Sequence, residues 1–395
     1  MMSKQFAVLL LSVLVFSICS VTPANAQVPQ RTILFHIDAL NFDAYQRLNL
    51  PNFNTLMKEG TFVREAHTII PWHPTIGGYG ELHTTSLVNP TTMAGTIFLK
   101  PNQKMVQHAF YDNQLLTAHI ANTTAYESLN PGFNFVNLNR IDRDADIVSW
   151  ALNLLQEKDI RFMRLVLQDL NNQASQIVAG ETKNVPWQDN IWAKGSPYIE
   201  KAYEADRLLG YFVEELKKMK KWDDTLFIVL SDGNASSGWH PIFSTESERI
   251  PLLFIGPGIA RNRVIPYAEN IDIAPTICHL MQLSVPNTDG GSGRVLAEIE
   301  EDSTISGQPQ NEKIKRLNSL IREHLLLQAK LRLLASTDPY YDVILMRAEN
   351  RLTTPFQFYG LDRIDQWYQA GTIDNMIKVN ESVIEYLKDS QSARK

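Results

Sequence analysis

The chain has 395 residues, with 37 Lys and Arg against 43 Asp and Glu and a formal net charge of −6. An acid excess of this kind argues against a nucleic acid backbone or an anionic membrane surface as the main partner, and it leaves small charged substrates open. A 44% hydrophobic share in a chain this long supplies a sizeable core, so one large domain with an appendage is expected.

The first 26 residues hold one Lys and no acid. Lys4 precedes an apolar run from Phe6 to Phe16, and Ala24-Asn-Ala26 offers the small residues that a signal peptidase accepts. At about 11 apolar or small residues the run falls short of the roughly 20 needed to cross a bilayer. It reads as an export signal cleaved near Ala26, sending the remainder to a periplasm or to the outside. No stable membrane span is expected. Of the two cysteines, Cys19 lies in this segment, so Cys278 is left without a partner for an intrachain disulfide.

Apolar runs then alternate with amphipathic stretches. Thr32 to Ile37, Phe162 to Leu167, Leu226 to Leu230 and Leu252 to Ile255 read as buried strands. Asp142 to Lys158 and Ser196 to Lys221 place apolar residues at helical spacing, and the second ends in four lysines that suit a helix C-terminus. This alternation predicts an α/β fold with a mostly parallel sheet sandwiched by helices over residues 27–300. Ligands in such sheets bind beyond the carboxyl ends of the strands. Asp38, Asp169 and Asp232 follow three of the strands. One such acid is commonly a cap or turn residue. Three at the same edge repel one another unless a cation lies between them, which points to a metal site.

Residues 301–395 read as a linker and a C-terminal helical subdomain. The polar stretch Glu298 to Gln310 is the linker. Helices are expected over Ile314–Leu334, with a leucine cluster at Leu325, Leu326, Leu327, Leu331, Leu333 and Leu334, and then around Tyr340–Asn350, Leu361–Ala370 and Asn375–Asp389.

Taken in order, several segments resemble the alkaline phosphatase superfamily, and within it the type I phosphodiesterase/nucleotide pyrophosphatase branch. They are Ile37-Asp38 followed by Leu50-Pro-Asn to Gly60; Pro71-Trp-His-Pro-Thr75; His83 to Val88; Glu248-Arg-Ile-Pro to Ile259; and Ile271-Asp-Ile-Ala-Pro-Thr-Ile277. The resemblance implies an exported, metal-dependent hydrolase of phosphoric esters acting on a small phosphorylated substrate through a phospho-threonine at Thr75. It implies that Asp38, Thr75 and Asp232 serve one metal and Asp169 and His240 the other, with Gln173 at a further ligand position. One or two divalent ions, zinc first among them, are the implied cofactor. Two cations a few ångströms apart can activate the attacking oxygen and steady the leaving one.

This chain departs from the family pattern at three places. Ser231-Asp-Gly-Asn234 lacks the His of "S-D-H-G", and Asp169-Leu-Asn-Asn-Gln173 puts an amide where an imidazole belongs. Losing two nitrogen ligands shifts a site from zinc toward harder cations. Thr75 and His83 are also eight residues apart, with glycines between them. His73 and His83 are possible replacements for the lost imidazoles, whereas His36, inside the first strand, reads as a core histidine. Asn171, Asn172 and Asn234 could bond a non-bridging oxygen. Two other functions stay open: a metal-depleted binding module and a transferase of phosphoryl-linked head groups. A sulfatase is disfavoured, because no "C/S-x-P-x-R" motif surrounds Thr75.

Overall fold

The computed structural model describes residues 28–68, 74–84, 95–99, 103–179, 183–240, 246–286, 293–304, 308–351 and 370–393. The export segment 1–26, His73 and residues 361–369 of the helix expected at Leu361–Ala370 lie outside them. Nine strands form one sheet: β1 Arg31–Ile37, β2 Thr61–His67, β3 Leu116–Ala121, β4 Phe135–Leu138, β5 Ile160–Leu167, β6 Thr225–Leu230, β7 Arg249–Ile250, β8 Leu252–Ile255 and β9 Arg263–Glu269. Their order is β4-β3-β5-β1-β6-β8-β2-β7, with β9 paired to β2. The pairs β1/β5, β1/β6, β3/β5, β3/β4 and β2/β9 are parallel, and β8 runs antiparallel to β6 and β2.

Strand β1 lies between β5 and β6 and is buried along its whole length, as are all six residues of β6. A strand covered on both faces needs side chains that lose nothing by leaving water on either side. Continuous apolar runs therefore mark these central parallel strands. The helices are α1 Ala44–Arg47, α2 Pro51–Glu59, α3 Tyr79–Thr84, α4 Val106–Tyr111, α5 Asp144–Glu157, α6 Asp169–Val178, α7 Pro197–Lys218, α8 Ile273–Leu280, α9 Gln308–Ala335, α10 Tyr340–Arg351 and α11 Ile373–Ser392. One core joins the sheet to α2, α5, α6 and α7. A second, on the other face, joins it to α3, α4 and α8. The fold is thus a helix–sheet–helix sandwich.

A third apolar cluster unites α9, α10 and α11 through residues such as Leu320, Leu331, Ile344, Val383 and Leu387. Of the expected leucine cluster, Leu327 and Leu331 are buried there, but Leu333 is 76% exposed. The linker is also shorter than its polarity suggests. Ile299 belongs to the second core, Glu298 is held by Arg294, and α9 already begins at Gln308. A buried ion pair, invisible to composition, draws this charged stretch into the α/β unit. Among the described residues, no helix is long and apolar enough to cross a membrane.

Candidate metal centre

The site forms where β1 and β6 end. After β1 the Asp38 amide bonds the Leu167 carbonyl of β5 at 3.0 Å, and Ala39 turns the chain with φ +60°. That left-handed turn is costly for a residue with a Cβ. It aims the Ala39 amide at Asp232 Oδ1, 2.9 Å away. The Tyr198 hydroxyl donates to the Ala39 carbonyl at 2.9 Å and accepts from the Asn41 amide at 2.8 Å, and the Asn41 side chain donates to the Asn234 carbonyl at 2.6 Å. The loops that carry the two aspartates are therefore tied together.

His36, Asp38 and Asp232 each offer a ligand atom, and these atoms all lie within 4.8 Å of one another. All three residues are at most 2% exposed. Asp38 Oδ2 accepts from the hydroxyls of Tyr79, 3.1 Å away, and Tyr126, and from the Gln168 amide. Asp38 Oδ1 is buried with no hydrogen-bond partner. Burial pushes the Asp38 carboxyl up to about 7, with the Asp232 charge as the next cause. Burial likewise lowers His36 to about 3, which keeps it neutral and able to act as a ligand. The Tyr79 hydroxyl, also 3.1 Å from His36 Nε2, can donate to only one acceptor. A cation taking the imidazole lone pair leaves it to Asp38.

A divalent cation fits this donor set. Ligand distances of about 2.0–2.6 Å let one ion span atoms up to about 5 Å apart. The orphaned Asp38 oxygen is otherwise expensive to bury. Two carboxylates and one imidazole favour harder cations over a nitrogen-rich zinc site.

Gly233 explains the missing histidine. Its φ is +91°, and a Cβ there would sit 2.1 Å from the Ser247 carbonyl oxygen. No side chain fits without moving backbone. The imidazoles beside the two aspartates are those of His36 and of His240, which is 1% exposed. His240 Nδ1 lies 3.2 Å from the Gly233 carbonyl, to which it donates, and 3.8 Å from Asp232 Oδ2.

Each residue of the second implied ligand set has other partners as well. Asp169, the first residue of α6, accepts from Asn122 Nδ2 at 3.1 Å and faces the Lys201 ammonium at 3.4 Å. The Gln173 amide donates to Gln176 on an exposed part of α6. His240 is beside Asp232. A lysine of α7 already answers the Asp169 charge, and no imidazole on α6 competes with it. Thr75 lies half-buried in a π-helical turn, Pro74–Gly78, that runs into α3. It is four residues before Tyr79, whose hydroxyl meets Asp38. The glycine-containing spacing between Thr75 and His83 is thus helical. His83 Nε2 accepts from Arg164 at 3.0 Å, so its lone pair is used there. Asn171 donates to the Gln168 side chain at 3.2 Å, and Asn234 is fully buried.

Sequence reasoning missed His36 as part of the cluster, and Tyr79, Tyr126, Gln168 and Arg164 around it. A histidine in β1 and an arginine in β5, both inside apolar runs, were the available signals.

Residues 92–283 match the sulfatase family model. That stretch contains Asp169, Asp232 and His240 and begins after Asp38 and Thr75. A choline-sulfatase of Rhizobium meliloti (strain 1021) is 30% identical over 114 residues, 27% of this chain, and the match spans only 22% of that relative's length. Among solved structures, the phosphonate monoester hydrolase of Agrobacterium radiobacter has a TM-score of 0.55 at 15% identity, covering 71% of this chain and 78% of its own. Murine ectonucleotide pyrophosphatase/phosphodiesterase 5 has a TM-score of 0.52 at 12% identity, covering 65% and 96%. At such identities the likeness is one of fold. The family-model match and the shared fold are both consistent with the alkaline phosphatase superfamily.

Proposed function

We propose that the protein hydrolyses phosphoric esters with one divalent cation held by His36, Asp38 and Asp232 and with Thr75 as nucleophile. The observation that carries this reading is the Asp38 carboxylate: three donors fix one oxygen, and the other is buried, unpartnered and grouped with a second carboxylate and a neutral imidazole. When bound, the cation would favour the alkoxide form of a nearby hydroxyl and offset charge on the phosphoryl oxygens. Thr75 Oγ1 would bond to phosphorus as the ester oxygen leaves, and water would then cleave the phospho-threonine and restore the hydroxyl. Asp232 and Asp38 would keep the cation fixed, and the hydrogen bonds to Ala39 and the tyrosines would keep both carboxylates from reorganising. Export through residues 1–26 and a small phosphorylated substrate belong to the same proposal.

Sulfate ester hydrolysis is the second reading, favoured by the match to the sulfatase family model and by the choline-sulfatase relative. That match starts downstream of Thr75, and the segment around Thr75 has neither Cys nor Ser in a sulfatase-type motif. Turnover of aryl phosphate monoester, aryl phosphodiester and aryl sulfate by protein supplied with Mn²⁺ separates the two. Phosphoric ester turnover abolished by Thr75→Ala supports the first reading. Aryl sulfate turnover that survives Thr75→Ala refutes it.

A further inference from the structure

Strand β5 buries a charged side chain, Arg164, 1% exposed. Among the described residues no carboxylate pairs with it. Its Nε donates to His83 Nε2 at 3.0 Å, Nη1 lies 2.7 Å from His119 Nε2, and Nη2 is buried without a partner. Both imidazoles must accept through Nε2 and carry their proton on Nδ1, and His119 Nδ1 sits 2.9 Å from Asn130 Oδ1, its acceptor. The guanidinium carbon is 4.8 Å from the Tyr79 ring centroid and 4.5 Å from that of Tyr126. The two rings meet edge to face with centroids 4.9 Å apart.

An arginine stays charged when buried, and an unpaired buried ion costs several kcal/mol. A residue held at that cost with only neutral neighbours has to be offset through space. Asp38 and Asp232 are the carboxylates whose charges act on it. The rings between Arg164 and Asp38 belong to the same tyrosines whose hydroxyls bond Asp38 Oδ2. We infer that Arg164 is a positioning residue for the metal centre: lying over the rings of Tyr79 and Tyr126, it fixes both so that their hydroxyls hold Asp38 Oδ2 and leave Oδ1 for a cation. This rests on the reading that Asp38 helps to hold a cation, but the linkage from Arg164 to Asp38 exists in metal-free protein as well.

The test has two arms. In the first, metal-free protein is titrated with Mn²⁺ by calorimetry. Arg164→Met and the double variant Tyr79→Phe/Tyr126→Phe are each expected to weaken binding about 10-fold or more, as outer partners of metal ligands do. The triple variant is expected to be within about 2-fold of the double one, because Arg164 acts through the tyrosines. Additive losses, or wild-type affinity in a folded Arg164→Met protein, overturn the inference. In the second arm, urea midpoints of metal-free protein are compared for Arg164→Met, Asp38→Asn and their combination. Non-additive shifts are expected, and additive ones overturn it. Wild-type protein that binds no Mn²⁺ refutes the proposed function, and the second arm then still decides the role of Arg164. If Arg164→Met does not fold, Arg164→Lys takes its place. It keeps the charge but not the planar fork that lies over both rings, so weakened Mn²⁺ binding is expected and unchanged binding overturns the inference.

Discussion

Restoring the family's histidine at position 233 should damage this protein. In the "S-D-H-G" pattern an imidazole follows the third aspartate, so Gly233→His looks like a repair. The structure excludes it: a Cβ at 233 would sit 2.1 Å from the Ser247 carbonyl oxygen and 3.1 Å from its carbon, with φ at +91°. Left-handed backbone costs roughly 1–2 kcal/mol for a residue with a Cβ, and forced overpacking costs roughly 1–3 more. The sum of about 2–5 kcal/mol is a large part of a typical stability of about 5–15 kcal/mol. With a urea slope near 3 kcal/mol per molar, the midpoint should fall by roughly 1 M. Because the clash begins at Cβ, Gly233→Ala should lose most of what Gly233→His loses. Movement of residue 233 also displaces the carbonyl that anchors His240 and the adjoining Asp232, so cation affinity should drop in both variants. The reasoning is refuted if both unfold at the wild-type midpoint, or if Gly233→His binds Mn²⁺ more tightly than wild type.

Other expectations concern the surroundings of the site. If Thr75 is the nucleophile, Thr75→Ala should lower phosphoric ester turnover by about 10³-fold or more while leaving the urea midpoint near wild type, since the change removes one hydroxyl from a half-buried side chain. Lys201→Met should leave the cation number at one by elemental analysis and change stability by under about 1 kcal/mol, because the pair with Asp169 is partly solvated. Burial, and then the Asp169 charge, raise the Asp144 carboxyl to about 7 from an unfolded value near 3.8. The native state therefore holds a proton that the unfolded state has lost between about pH 4 and 7, and stability falls as pH rises through that window. Asp144→Asn, which cannot ionise, should flatten that part of the pH–stability curve of metal-free protein by up to a few kcal/mol, and an unchanged slope would contradict this. Burial pushes the Cys278 thiol up to about 12, so a thiol reagent at pH 8 should label it only on unfolding.

The central sheet was legible because its strands bury both faces. The runs at β1, β5, β6 and β8 were read to within two residues at each end. Strands β2, β3 and β9, with sequences TFVREAH, LTAHIA and RVIPYAE, mix polar and apolar residues and gave no such run. The aspartates at 38 and 232 were legible because strand order brings chain ends to one edge of a parallel sheet. What holds Asp38 was not legible. Tyr79, Tyr126 and Gln168 are 41, 88 and 130 residues away in sequence, and nothing local marks them as neighbours. The Lys201 ammonium that faces Asp169 is likewise distant in sequence, on α7. His36 could be read as buried from its strand, but its companions could not be read from the strand alone.

One measurement reaches the claim on which the account depends. Metal-free protein, wild type and Asp38→Asn, is titrated with Mn²⁺ by calorimetry, and each loaded sample is then desalted for elemental analysis. Wild type is expected to bind about one equivalent, and Asp38→Asn, whose amide nitrogen or lost charge spoils the orphaned oxygen as a ligand, at least about 10-fold more weakly. Wild-type protein that binds no divalent cation, or an Asp38→Asn protein that binds as tightly as wild type, would contradict it.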